Sequence, residues 1–142
     1  MERTRILVID DEAAMTRMLR RNLERTGRFE VREENHARRA VDTALAFQPE
    51  LVVLDVLMPE MDGTQVAAEF RQRAELSRVP VLFLSALVPT GDFSTAEAPP
   101  GLFFVKPVEV DVLIEAIDHV VAASRAEATH GGEAVTGPST WR

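Results

Sequence analysis

The stretch Leu51-Val52-Val53-Leu54-Asp55-Val56-Leu57-Met58-Pro59-Glu60-Met61-Asp62-Gly63 decides the fold. Its four leading apolar residues, with Pro49 just upstream, are too few for a helix and read as a strand covered on both faces. The run stops at a carboxylate, Asp55, and Pro59 with Asp62-Gly63 marks the loop that follows. Val66 and Phe70 then begin a helical spacing, for which Asp62 is a natural cap and Gly63 relieves a tight turn.

The same grammar repeats outward. Upstream, Ile6-Leu7-Val8-Ile9 is a second buried run, ending at Asp10-Asp11-Glu12. Met15, Met18, Leu19 and Leu23 follow at helical spacing, with Gly27 placed to stop the helix. Phe29-Glu30-Val31-Arg32 alternates as a half-exposed edge strand would, and Ala37, Ala40, Val41, Ala44 and Leu45 resume the helical period. Downstream, residues 79–84 predict a fourth strand ending at Ser85, and 102–105 a fifth ending at Lys106-Pro107. Val110, Leu113, Ile114, Ile117 and Val120 form a last helical stripe. The apolar pattern stops after Ala123, so residues 1–123 are expected to fold and 124–142 to form a flexible tail or linker. Strands alternating with helices imply parallel pairing through right-handed crossovers, hence an α/β three-layer sandwich.

Composition narrows the function. The chain has 142 residues, 46% apolar and 27% charged, as a single globular domain would. Without cysteine there is no disulfide and no thiolate chemistry. A net charge of −7 argues against a general nucleic-acid or anionic-membrane surface. No apolar run is long enough to span a bilayer, and the few apolar residues before Asp10 are too few for a signal peptide, so a cytoplasmic location is expected. Of the 16 basic residues all but Lys106 are arginine. That one lysine offers a compact point charge where arginine would offer a planar fork.

In a doubly wound sheet, ligands collect beyond the carboxyl ends of the strands. Asp10-Asp11, Asp55, Ser85 and Lys106 each follow a strand, so four strand ends converge. Carboxylates gathered there repel one another until a cation joins them. A hard divalent ion such as Mg²⁺ suits an all-oxygen set and shares its coordination with a phosphoryl group. Zinc does not suit it, because cysteine is absent and none of His36, His119 and His130 follows a strand. Lys106 and the Ser85 hydroxyl can then face phosphoryl oxygens, and an aspartate can itself form an acyl phosphate. Taken singly, each residue also has a plain structural reading, with Asp10-Asp11 as a helix cap and Asp55 as the first residue of a loop.

Together, Asp10-Asp11, the run from Asp55 to Gly63, Ser85-Ala86 and Lys106-Pro107 resemble the receiver domain of two-component response regulators, over roughly residues 3–123. The resemblance implies a flavodoxin-like sheet of five parallel strands in the order 2-1-3-4-5. It implies that Asp55 accepts a phosphoryl group from the phosphohistidine of a sensor histidine kinase or phosphotransfer protein. Asp10, Asp11 and Asp55, with the backbone carbonyl of Leu57, would hold Mg²⁺. Lys106 would contact the phosphoryl group across a cis bond to Pro107, while Ser85 and Phe103 would switch on activation. Such a domain has no conventional turnover; it catalyses its own phosphorylation and dephosphorylation and changes its binding to a downstream protein. Homodimers are a further association the family uses. Direct nucleic-acid binding by this chain is not expected. A non-phosphorylated interaction module on the same fold is the alternative. A nucleotide binder is disfavoured, because Asp10-Asp11-Glu12 would repel a phosphate.

Two features depart from the family pattern. The family places a helix between strands four and five, yet residues 87–101 carry three prolines and two glycines, predicting a short turn of helix or an irregular loop. That puts the family's usual output face in doubt. Leu57 and Leu87, two positions beyond Asp55 and Ser85, sit where the family tunes phosphoaspartate hydrolysis. Apolar groups cannot orient an attacking water, so a long-lived phosphorylated form is expected.

Overall fold

The computed structural model describes residues 2–86 and 103–129. Its strands are β1 (Thr4–Ile9), β2 (Phe29–Glu34), β3 (Leu51–Asp55), β4 (Val81–Ser85) and β5 (Phe103–Val105). All neighbours pair in parallel, in the order β2-β1-β3-β4-β5. The helices are α1 (Ala13–Glu24), α2 (Ala40–Phe47) after a single 3-10 turn at Ala37–Arg39, α3 (Gly63–Gln72) and α4 (Val110–Thr129).

The sheet has an apolar layer on each face, which explains why the central strands read as unbroken apolar runs. On one face Leu7, Ile9, Val52, Leu54 and Phe83 pack against Ala40 and Ala44 of α2 and Val66 and Phe70 of α3. On the other, Ile6, Val8, Val53, Leu82 and Leu84 pack against Leu19 and Leu23 of α1 and Leu113 and Ile117 of α4. Each such side chain removed from water stabilises the fold by roughly 1.5–3 kcal/mol before entropy is counted.

Three sequence expectations shift. Met18 is not core: it is 44% exposed, and Thr16, fully buried, takes its place beside Leu19 and Leu23. The segment expected to be tail from residue 124 is helical as far as Thr129, where α4 ends; Arg125, Ala126 and Glu127 favour helix even where the core stripe has ended. The edge strand β2 is longer than its clearest alternation, reaching Glu34. Residues 87–101, Leu87 among them, and residues 130–142 lie outside the described residues. No helix among the described residues is long and apolar enough to cross a membrane.

β1 lies between β2 and β3, so the crossovers leave it in opposite directions and open a crevice beyond its carboxyl end. Asp10 follows that end, and Asp55 closes the neighbouring strand.

Candidate functional site at the strand carboxyl ends

Asp10 and Asp55 are buried, at 2% and 4% exposure, whereas Asp11 faces solvent. One carboxylate oxygen from each of Asp10, Asp11 and Asp55 lies within 4.8 Å of the others. The plain capping reading fails for Asp10-Asp11. The residue preceding α1 is Glu12, which makes no side-chain cap bond, and Asp10 Oδ1 accepts the Glu12 N–H at 3.0 Å, within the loop.

Lys106 reaches this cluster from the end of β5. Its backbone N–H donates to the Ser85 carbonyl at 2.7 Å, extending the β4–β5 pairing by one residue. Its Nζ donates to Asp10 Oδ2 at 2.7 Å and lies 3.1 Å from Asp55 Oδ1. The Lys106-Pro107 bond is cis. Ser85, 1% exposed, follows Leu84, the register partner of Asp55, so its backbone stands beside the cluster.

One cation does not satisfy this much negative charge. Burial pushes the Asp55 carboxyl above the usual range, the charge of Asp10 pushes it further, and Lys106 only partly offsets them. Burial alone would lower Lys106, but its hydrogen bond to Asp10 and the charges of both carboxylates carry it upward. The donor set is all oxygen, and the described residues bring no histidine to it. Hard donors, close spacing and an unmet demand for positive charge fit Mg²⁺ better than a soft metal.

Asp62 caps α3 as expected: its side chain accepts the Gln65 N–H at 3.1 Å, while Gln65 Oε1 accepts the Asp62 N–H at 3.0 Å. Gly63 serves differently from the turn-relieving role read from sequence. Its N–H donates to the Val56 carbonyl at 2.8 Å, and a methyl group built on it would overlap the Asp55 carbonyl oxygen and lie 3.0 Å from Val56 Cα. The glycine lets α3 approach the end of β3. Leu57 is 48% exposed beside this junction. Phe103 is half-buried and stacks on Phe83, ring centres 5.8 Å apart.

Sequence reading missed the residues that brace the first acidic loop. Asn35 Nδ2 donates to the Asp10 carbonyl at 2.8 Å and to Thr16 Oγ1 at 2.9 Å. The Thr16 hydroxyl donates in turn to Glu33 Oε1 at 2.7 Å. The available signal was position: Asn35 directly follows β2, at the same end of the sheet as the acids. His36 and His119 are exposed, away from the cluster, and His130 lies outside the described residues.

Three carboxylates and a lysine thus meet at the topological switch point of a doubly wound parallel sheet, where such folds collect their ligands. Residues 6–118 match the family model "Response regulator receiver domain", and the chain belongs to that family. Response regulator Rre1 of Synechocystis is 31% identical over 129 residues, covering 90% of this chain and 56% of that protein, so the chain spans little more than half of the relative's length. A CheY-like response regulator receiver domain protein from Methanospirillum hungatei superposes with a TM-score of 0.79 at 22% identity, covering 89% of this chain and 99% of that one. Response regulator protein TrrA of Thermotoga maritima, solved in complex with Mg(2+)-BeF, is similar at a TM-score of 0.71 and 28% identity, covering 82% of this chain and 97% of that one.

Proposed function

We propose that this chain is the phosphoacceptor of a two-component relay, taking a phosphoryl group on Asp55 from the phosphohistidine of a sensor kinase or phosphotransfer protein. The observation that carries this reading is the Lys106 ammonium bridging Asp10 and Asp55 in a buried acidic cluster. An Asp55 carboxylate oxygen attacks phosphorus in line as the P–N bond to histidine breaks, and the imidazole leaves with the electron pair. Lys106, already held against Asp55, is placed to neutralise one phosphoryl oxygen, and the Ser85 hydroxyl to donate to another. Asp10, Asp11, Asp55 and the Leu57 carbonyl would hold Mg²⁺. The ion would supply charge neutralisation across the entering and accepting oxygens. The modification adds about −1.5 to −2 charge and new acceptor oxygens at the pocket. Ser85 and Lys106 follow those oxygens inward, Phe103 repacks behind them, and the altered surface selects a downstream protein. A cytoplasmic location accords with this chemistry.

The test is incubation of the full chain with Mg²⁺ and a small phosphodonor, followed by intact mass. Wild type gains one phosphoryl group, whereas Asp55→Asn, or wild type with chelator, gains none. An unmodified wild type would favour the non-phosphorylated interaction module instead.

A further inference from the structure

Two polar side chains stand where the fold calls for apolar ones, and they face each other where α1 packs on β2. On β2, Phe29 and Val31 point at α1 and pack with Leu19 and Leu23. Period two puts Glu33 on the same face, where a third apolar residue would complete the row. On α1, Thr16 takes a core position three residues before Leu19 and is fully buried. The two meet: the Thr16 hydroxyl donates to Glu33 Oε1 at 2.7 Å, while Arg20 Nη1 stands 3.5 Å from Glu33 Oε2. A hydroxyl and a carboxylate withdrawn from water gain little over an apolar pair of the same shape, so packing does not account for them.

Their bond has a consequence at the acidic cluster. Besides Glu33, the Ala13 carbonyl lies 3.1 Å from Thr16 Oγ1, one turn back in the helix. An ionised carboxylate and a backbone carbonyl can only accept, so these two take the single hydroxyl hydrogen. Thr16 Oγ1 is left as an acceptor towards Asn35. The Asn35 amide must therefore turn its nitrogen, not its oxygen, to Thr16, at 2.9 Å. The second hydrogen of that nitrogen then falls on the Asp10 carbonyl, at 2.8 Å.

That carbonyl belongs to the peptide joining Asp10 to Asp11, so its direction sets where the chain leaves for Asp11. Asp10 is held by other bonds as well: its N–H donates to the Glu34 carbonyl at 3.1 Å, and its carboxylate engages the Glu12 N–H and Lys106. Asp11 is not. Its carboxylate faces solvent and makes no hydrogen bond or ion pair among the described residues. Its backbone keeps it beside Asp10 and Asp55, whose charges repel it.

We infer that Thr16 is a positioning residue for divalent-cation capture: through the Asn35 amide it fixes the Asp10–Asp11 peptide and so presents the Asp11 carboxylate before the ion arrives. The inference rests on the metal-binding, phosphoacceptor reading of the cluster. A carboxylate already in place loses less freedom on binding, which strengthens binding without adding a contact. Glu33 anchors the far end of the relay, on the side of α1 away from the acids.

Calorimetric titration of Mg²⁺ into the full chain, with the melting temperature of the metal-free protein recorded alongside, tests this. Thr16→Val keeps the shape of the side chain and removes the hydroxyl; it is expected to weaken Mg²⁺ binding several-fold. Thr16→Ser keeps the hydroxyl and sheds a buried methyl; it should melt lower than wild type yet bind Mg²⁺ as wild type does. In an Asn35→Ala background, Thr16→Val should cause no further loss of affinity, because both substitutions break the same path. Unchanged affinity in Thr16→Val, affinity in Thr16→Ser that falls with its stability, or additive losses in the double variant would each overturn the inference. Wild type that takes up no Mg²⁺ is a different failure: it sinks the metal-binding reading itself, and this inference with it.

Discussion

Lys106 holds its ammonium 2.7 Å from Asp10 Oδ2, closer than the 3.1 Å to Asp55 Oδ1, so the lysine is shared between two buried carboxylates and leans towards the first. The side chain is only 14% exposed, so its charge is poorly screened. In the metal-free protein the lysine is the internal counter-ion of the cluster. Removing it leaves carboxylates buried without a cation, and breaking such a pair costs about 3–5 kcal/mol. Lys106→Met is therefore expected to unfold at markedly lower temperature than wild type without metal, and to gain more from added Mg²⁺. Calorimetry with and without Mg²⁺ checks this; equal gains in both proteins would contradict it.

The elevated Asp55 pKa fixes the sign of a pH effect. Burial comes first among its causes and the Asp10 charge second. A carboxyl raised on folding favours the fold at low pH, where it is protonated in both states. That advantage is lost as pH rises through the folded value and a buried group must ionise. Asp55→Asn removes the penalty while keeping an acceptor for Lys106. The metal-free variant is expected to be more stable than wild type at neutral pH. The gap should close below the ordinary aspartate range. Denaturant titrations at several pH values measure it. Lys106 contributes the opposite limb: its raised value stabilises the fold through neutral pH and is lost only in strong alkali.

The sheet and the site were legible because both rest on patterns that tertiary context rarely overrides. Short apolar runs ended by Asp10, Asp55, Ser85 and Lys106 predict buried parallel strands, and parallel strands deliver their last residues to one rim. What escaped was set by facing neighbours. Met18 keeps the helical period yet points outward, because Thr16 finds partners for its hydroxyl inside and fills the core position. Gly63 looks like turn glycine in sequence, but its constraint is the Asp55 carbonyl, brought close only when α3 packs on β3. Asn35 is an ordinary polar residue until Asp10 and Thr16 are placed around it.

The contact beneath Gly63 gives a substitution of predictable direction. A Cβ there meets backbone of Asp55 and Val56, not the flexible end of a side chain, so the strain cannot be relieved by a rotamer change. Gly63→Ala is expected to destabilise by roughly 1–3 kcal/mol, as overpacking of a tight contact does. It should also weaken Mg²⁺ binding, since Asp55 must shift with its peptide. A stable variant with unchanged metal titration would show that α3 can retreat freely.

Asn35 ties β2, α1 and the Asp10 peptide together through its two amide hydrogens. Asn35→Ala leaves the Asp10 carbonyl and the buried Thr16 hydroxyl short of a donor, a loss of about 1–3 kcal/mol. The freed Asp10-Asp11 loop then pays ordering entropy on metal capture, so Mg²⁺ affinity measured by calorimetric titration should fall several-fold. A drop in melting temperature with no change in affinity would limit Asn35 to fold stability.

Leu57 stands two residues beyond Asp55, 48% exposed at the mouth of the site. Hydrolysis of an acyl phosphate needs a water held in line with the bond that breaks, and that water must be gripped by a donor or acceptor. Leucine offers neither. Leu57→Asn introduces an amide able to hydrogen-bond the water, and one such bond, at about 1–1.5 kcal/mol, corresponds to roughly a tenfold rate gain. After phosphodonor is removed, intact mass should record slow decay of the wild-type adduct and faster decay of the variant. Wild-type loss that equals or outruns the variant would mean that Leu57 does not protect the phosphoaspartate.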